Sequence, residues 1–299
     1  MPVSPAARRP PTSTGSEGRP VRAGTVAVLG ATGKTGSAVA AAALHAGLAV
    51  RGTTRHPGQA DGPAGVEWHQ ADALTGDGLT HALTGAEAAY LIVPNVHPAE
   101  VEMVDLVAQA ATEAGVDRVV YHSVADPHDA RMAHHLRKAR AETVLRGVRP
   151  EAVVLRPCAY QQNLLGAALA GRLEVPYRVS APFSLVDLGD IAEVAVAALS
   201  GQLEPGSTHV LGGPEELTVE DLARTATRVL GRPVTASSIT IEQWRSGPGA
   251  RTQGCALTDL LAMFEAYDQT GFTVDPTPLT HLLGRPPTTW TQLLSKETS

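Results

Sequence analysis

Apolar residues along the chain fall into short solid runs separated by longer stretches in which they recur periodically. Thr25-Val26-Ala27-Val28-Leu29 is one such run, closed by Gly30, as in a strand buried on both faces. Residues 48–53, 66–70, 86–93, 116–123 and 152–155 repeat the pattern. Helical stretches lie between them. Residues 37–46 are rich in alanine, and Gly47 stands where a helix-ending glycine belongs. Residues 98–114 carry Val101, Val104, Val107 and Ala108 at helical spacing, and Gly115 closes them. Residues 129–146 read as a long polar helix ended by Gly147. Strands alternating with helices predict an α/β fold, a Rossmann-type doubly wound parallel sheet with right-handed crossovers.

After residue 158 the rhythm loosens, broken by Pro176, Pro182, Pro205, Pro214 and Pro233. Ser184-Leu185-Val186 followed by residues 187–199 still reads as strand then helix. His209-Val210-Leu211 followed by residues 218–230 does so again, with Thr218 as N-cap and Asp221 three residues on. The expected organisation is a disordered tail over 1–24, a dinucleotide-binding Rossmann domain over 25–157, and a smaller α/β substrate lobe over 158–299. Some segments of that lobe return to the Rossmann core. The tail is rich in Pro, Arg, Ser and Gly and lacks the apolar centre of a secretory signal. An over-long start or a transit peptide are its other readings.

Composition narrows the function classes. Of 299 residues, 43% are hydrophobic, enough for a sizeable core. The net charge of −6 argues against a general nucleic-acid binder. No apolar stretch reaches the 18 or so residues of a membrane span. Cys158 and Cys255 are too few for a disulfide framework or a cysteine-rich zinc site, and fit a reducing compartment, the cytoplasm.

The chemistry starts at Gly30-Ala31-Thr32-Gly33-Lys34-Thr35-Gly36, which joins the first strand to the first helix. Gly30 permits a tight turn, Gly33 lets backbone approach a diphosphate, and Gly36 allows the helix to pack closely on the strand. A P-loop fits poorly, because the glycine it needs at position 28 is Val28. Thr32, Lys34 and Thr35 complete the loop, with Lys34 near phosphate. No acidic residue occurs over 25–60 to hold a ribose 2′-hydroxyl. Arg55, at the end of the second strand, suits a 2′-phosphate instead, so NADP(H) is expected in preference to NAD(H). Arg51 lies deeper on the same strand. Asp72, after the third strand, is a candidate acceptor for the adenine amino group.

With further pieces, the sequence resembles the NmrA-like family, atypical members of the short-chain dehydrogenase/reductase superfamily. The matching pieces are the glycine loop, Thr54-Arg55-His56-Pro57, Asp72, and Gly115-Val116-Asp117-Arg118-Val119-Val120 running into Ser123. They continue with His134 to Lys138, Arg156-Pro157 with Asn163, Val186-Asp187-Leu188-Gly189-Asp190-Ile191-Ala192, and Gly284-Arg285-Pro286-Pro287. The resemblance implies an NADP(H)-binding Rossmann domain, with Ser123, Lys138 and Pro157 joining the cofactor contacts, and a C-terminal lobe that forms a substrate cleft. The family includes reductases of quinones, azo compounds and other small electrophiles, and also regulators that bind the dinucleotide and do no chemistry.

Typical short-chain enzymes use Tyr-x-x-x-Lys, which places both side chains on one helix face. Here His134 takes the tyrosine's place and Lys138 keeps the lysine's. A histidine with a pKa near 6.5 would donate a proton at neutral pH, and Lys138 would hold the nicotinamide ribose. Tyr160 and Tyr121 are further acid candidates. The missing tyrosine disfavours alcohol dehydrogenation and sugar-nucleotide epimerisation. His122 and His128 read as loop residues that form no ligand cluster, and Cys158 reads as a buried small residue rather than a nucleophile. Residues 93–96, Tyr160 and the Phe183 region are expected to line the cleft. The expected function is NADPH-dependent hydride transfer to a small electrophile: a quinone, activated alkene, imine or carbonyl. The alternative is a non-catalytic NADP(H) sensor that binds a partner protein. Whether the chain forms a homodimer is open.

Overall fold

The computed structural model describes residues 24–298. Apart from Gly24, the tail expected over 1–24 lies outside them. Six strands alternate with helices at the start of the described chain. They are β1 (Thr25–Val28), β2 (Ala49–Thr54), β3 (Glu67–Gln70), β4 (Ala88–Leu91), β5 (Arg118–His122) and β6 (Val153–Pro157). β7 (Arg172–Val175) leaves this sheet to pair with β9 (Thr235–Ser238), whereas β8 (Thr208–Leu211) joins it. The main sheet is wholly parallel, in the order β3-β2-β1-β4-β5-β6-β8.

The solid apolar runs are explained by burial on both faces. In β1, Val26 and Val28 face one core while Ala27 and the following Leu29 face another. β4 does the same, with Ala88 and Tyr90 on the first face and Ala89 and Leu91 on the second. The first face packs against α1 (Lys34–His45) and, later in the chain, α6 (Leu188–Leu199). The second face is covered by α2 (Leu79–Leu83), α3 (Glu100–Glu113) and α4 (Ala133–Val148). Each fully buried Val or Leu contributes about 1.5–3 kcal/mol, so this alternation sets the register of the sheet.

The remaining elements are α5 (Gln162–Ala170), α7 (Val219–Leu230), α8 (Ile241–Ser246), α9 (Gly254–Thr270), α10 (Thr277–Leu283) and α11 (Trp290–Glu297). A third core joins β7, α7, α9 and α11. Trp290, 1% exposed, donates its indole N–H to the Leu222 carbonyl and so fastens α11 to α7. Thr218 and Asp221 close a capping box at the start of α7, with the pairing expected from sequence.

Two expectations change. Residues 184–186 form no strand of the main sheet. Val186 makes a single bridge to Tyr160, and β8 takes the seventh place. The polar helix starts at Ala133 rather than 129, because Asp129 closes a turn by accepting from the backbone and guanidinium of Arg131. The chain order reverses between β1 and β4, and the loops after the strand ends open a crevice there. Among the described residues, no helix is long and apolar enough to cross a membrane.

Candidate active site

The crevice begins at the glycine loop. Gly30 has φ +70°, a left-handed conformation that side chains disfavour, and its carbonyl accepts from the Gly33 amide at 2.9 Å. A Cβ on Gly36 would press into that same carbonyl oxygen. Helix α1 therefore starts tight against the loop. Its N-cap, Gly33, offers no side chain to the first amides, and no acidic residue stands in the first turn. Those unsatisfied donors and the positive end of the helix dipole favour an anion. Thr32 and Thr35 line the opening. Burial lowers the Lys34 pKa, and its ammonium reaches Asn163 on α5, 2.5 Å away, across the crevice.

Arg55 and Asp72 border the same cavity. Arg55 is exposed and has no carboxylate partner among the described residues. Arg51, its neighbour on β2, is committed to the Thr84 carbonyl and to Glu67, and does not line the cavity. Asp72 accepts from the Leu74 amide at 2.9 Å, which leaves its second oxygen open. An uncapped helix start, a loop whose Gly30 and Gly36 positions leave no room for a side chain, and an unpaired cation fit the charge pattern of NADP(H).

The cavity has a volume of about 1020 Å³ and runs from this loop into an apolar chamber. The chain has only three phenylalanines and five tyrosines. All three phenylalanines, Phe183, Phe264 and Phe272, and three of the tyrosines, Tyr160, Tyr177 and Tyr267, line it. Tyr267 stands perpendicular to Phe183, with centroids 5.2 Å apart, and stacks on Phe272 at 5.6 Å. Leu164, Leu260 and Met263 complete the wall. Val93 lines the cavity as expected. Val96 does not: its backbone turns at φ +51° and its side chain is buried elsewhere.

Between loop and chamber lie the polar candidates. Lys138, 7% exposed, lines the cavity and donates to Glu100 at 2.5 Å and to the His122 carbonyl at 3.3 Å. Tyr121, packed on the α3/α4 face of the sheet, donates to the same Glu100 oxygen at 2.8 Å. It is fully buried and absent from the cavity wall, so it is no candidate acid. Ser123 reaches the cavity, but its hydroxyl is spent on Glu142, which also pairs with Arg156. Pro157 ends β6 at the wall.

His134 lines the cavity beside Lys138, yet the imidazolium donor expected from sequence is not present at neutral pH. Burial above all, then the charges of His135, Lys138 and Arg137, push it down to about 3. Its ring is a neutral hydrogen-bonding group, and its Nδ1 is buried without a partner. Cys158 is likewise inert. Burial raises its thiol to about 12, and Sγ donates to the Phe272 carbonyl.

The larger correction concerns His122. It is not a loop residue but the last residue of β5, buried, with a phenol on each ring nitrogen. Its place at a strand end, facing the crevice, was the signal available in sequence. The chamber residues Tyr177, Phe264, Tyr267 and Phe272 were missed as well. The signal there was scarcity: a chain poor in aromatics concentrates them after residue 158.

The NmrA-like family model matches residues 22–281. A (4-alkanoyl-5-oxo-2,5-dihydrofuran-3-yl)methyl phosphate reductase of Streptomyces griseus is 31% identical over 238 residues, covering 74% of this chain and 79% of its own. An NAD(P)H azoreductase of Xenophilus azovorans is 27% identical over 250 residues, covering 81% and 86%. Among solved structures, the NADPH-dependent quinone oxidoreductase of Escherichia coli in complex with NADPH superposes with a TM-score of 0.78. It is 24% identical and covers 92% of this chain and 100% of its own, a likeness of fold. The glycine loop, the seven-stranded sheet and the C-terminal wall all fall within the residues the family model matches, and on that footing the chain belongs to the NmrA-like family.

Proposed function

We propose that the protein is an NADPH-dependent oxidoreductase that reduces a small, neutral, largely apolar electrophile, a quinone, activated alkene, imine or carbonyl. One continuous cavity, from an anion-binding glycine loop to a chamber holding most of the chain's Phe and Tyr side chains, carries the proposal. The reductase activities named for the Streptomyces griseus and Xenophilus azovorans relatives support it.

When bound, NADPH supplies the hydride. The chain's residues do the rest. The α1 amides and the glycine loop hold the diphosphate. Arg55 meets the 2′-phosphate with charge-assisted hydrogen bonds, and Asp72 takes the adenine amino group. Lys138 supplies positive field between cofactor and acceptor, held in place by Glu100. His134 offers an uncharged hydrogen bond, and Tyr160 offers a hydroxyl. The aromatic walls exclude water and favour a flat acceptor. The chamber residues Leu164, Tyr177, Phe183, Leu260, Met263 and Phe264 carry no charge. A phosphate-bearing substrate, such as the name of the Streptomyces relative describes for that protein, would find no cation among them. The two thiols remain unpaired, which suits a reducing compartment such as the cytoplasm.

NADPH oxidation by purified protein with a simple quinone, after titration with NADPH and NADH, tests this reading. Tight NADPH binding with turnover is expected. Binding without turnover across several acceptor classes would replace the reductase by the sensor.

A further inference from the structure

His122 stands between two phenols. The Tyr160 hydroxyl lies 2.8 Å from its Nε2 and the Tyr90 hydroxyl 2.5 Å from its Nδ1. His122 and Tyr160 line the cavity. Tyr90, on the neighbouring strand β4, is fully buried behind them. Burial, aided by the Lys138 ammonium, pushes His122 down to about 3, so the ring is neutral and carries one N–H. One nitrogen must donate and the other accept.

Tyr90 decides which. Among the described residues its hydroxyl has one hydrogen-bond partner, His122 Nδ1. A proton on Nδ1 would leave the Tyr90 O–H as a buried donor without an acceptor, the costly arrangement. Tyr90 therefore donates to Nδ1, the ring proton sits on Nε2, and Nε2–H donates to the Tyr160 oxygen. The Tyr160 O–H then has no acceptor behind it. It turns to the cavity side, where the Thr35 hydroxyl lies beside it.

We propose that Tyr90 and His122 are positioning residues that fix the Tyr160 hydroxyl as a hydrogen-bond donor to the oxygen or nitrogen of the electrophile being reduced. This rests on the reductase reading above. No proton transfer is required of Tyr160. Burial raises its phenol well above the usual range, so it stays O–H and polarises the acceptor as electron density arrives there. The reversed tautomer would point a lone pair at that atom instead. Tyr90 touches neither cofactor nor substrate and acts only through the ring.

The test has two arms. In the full chain labelled with ¹⁵N-histidine, with His122→Gln used for assignment, the His122 resonances should report a proton on Nε2. A proton on Nδ1 overturns the inference, and this arm needs no cofactor. In the second arm, Tyr90→Phe should keep the NADPH Kd within about twofold and lower kcat with quinone about tenfold, a loss of the size of one hydrogen bond. In a Tyr160→Phe background the same substitution should cost nothing further. An unchanged kcat in Tyr90→Phe, or equal losses in both backgrounds, also overturns it. Failure of wild-type protein to bind NADPH would overturn the reductase reading and the donor role together, whereas an Nδ1 proton in protein that binds and oxidises NADPH would overturn the inference alone.

Discussion

Arg55 follows the end of β2 at the cavity edge with no carboxylate beside it among the described residues, so its guanidinium can serve a 2′-phosphate. Arg55→Ala should weaken NADPH binding by about 10- to 100-fold, the worth of a charge-assisted hydrogen bond, and leave NADH within about twofold. Equal losses for both would remove the 2′-phosphate from the account. Lys138 is a different case, because its partner Glu100 is 1% exposed. Lys138→Ala strands a buried carboxylate and should destabilise the fold by about 3–5 kcal/mol. Adding Glu100→Gln should recover part of that loss in thermal melts but none of the turnover. Arg55 was legible in sequence because a cation where a carboxylate usually stands is a local feature. The neutrality of His134 was not, because it depends on how closely α4 packs against the cavity wall, which no spacing rule encodes.

Among the elements, α1 and its loop were read closely, since glycine spacing and an alanine-rich helix are both local patterns. Gly36→Ala should abolish measurable NADPH binding, because the added methyl group displaces the Gly30 carbonyl around which the loop turns. Thr218→Ala, which breaks the α7 capping box far from the loop, should cost about 1 kcal/mol and lower Tm by a few degrees with the NADPH Kd unchanged. A changed Kd there would mean that α7 bears on the cofactor site. The short strands β7 and β9 left no readable signal, each being four residues long with an exposed edge. Residues 184–186 look like a strand in isolation. The backbone of Tyr160 claims Val186, and only the long-range order of the sheet reveals that β8 occupies the next place.

At the scale of the whole molecule, two buried histidines tie stability to pH. His122 and His134 are pushed from 6.5 to about 3 in the fold, so the folded chain binds fewer protons than the unfolded chain between those values. Their contribution is complete above about pH 6.5 and is lost as pH falls towards 3. Urea titrations should show stability declining across that window, with a shallower decline in His134→Gln. An equal slope in the variant would mean that the ring is already charged in the fold. The doubly covered sheet was readable from the solid apolar runs, whereas the chamber was not. Its walls come from residues far apart in the chain, such as Leu164, Phe183 and Tyr267, and only the third core brings them together.

In the proposed reading one cavity holds NADPH at the glycine loop and an apolar acceptor in the aromatic chamber. The most direct measurement is NADPH oxidation by the purified chain with a simple quinone, preceded by titration with NADPH and NADH. Binding that favours NADPH, followed by turnover that Tyr160→Phe diminishes, is the predicted result. No binding of either dinucleotide would contradict the account at its root.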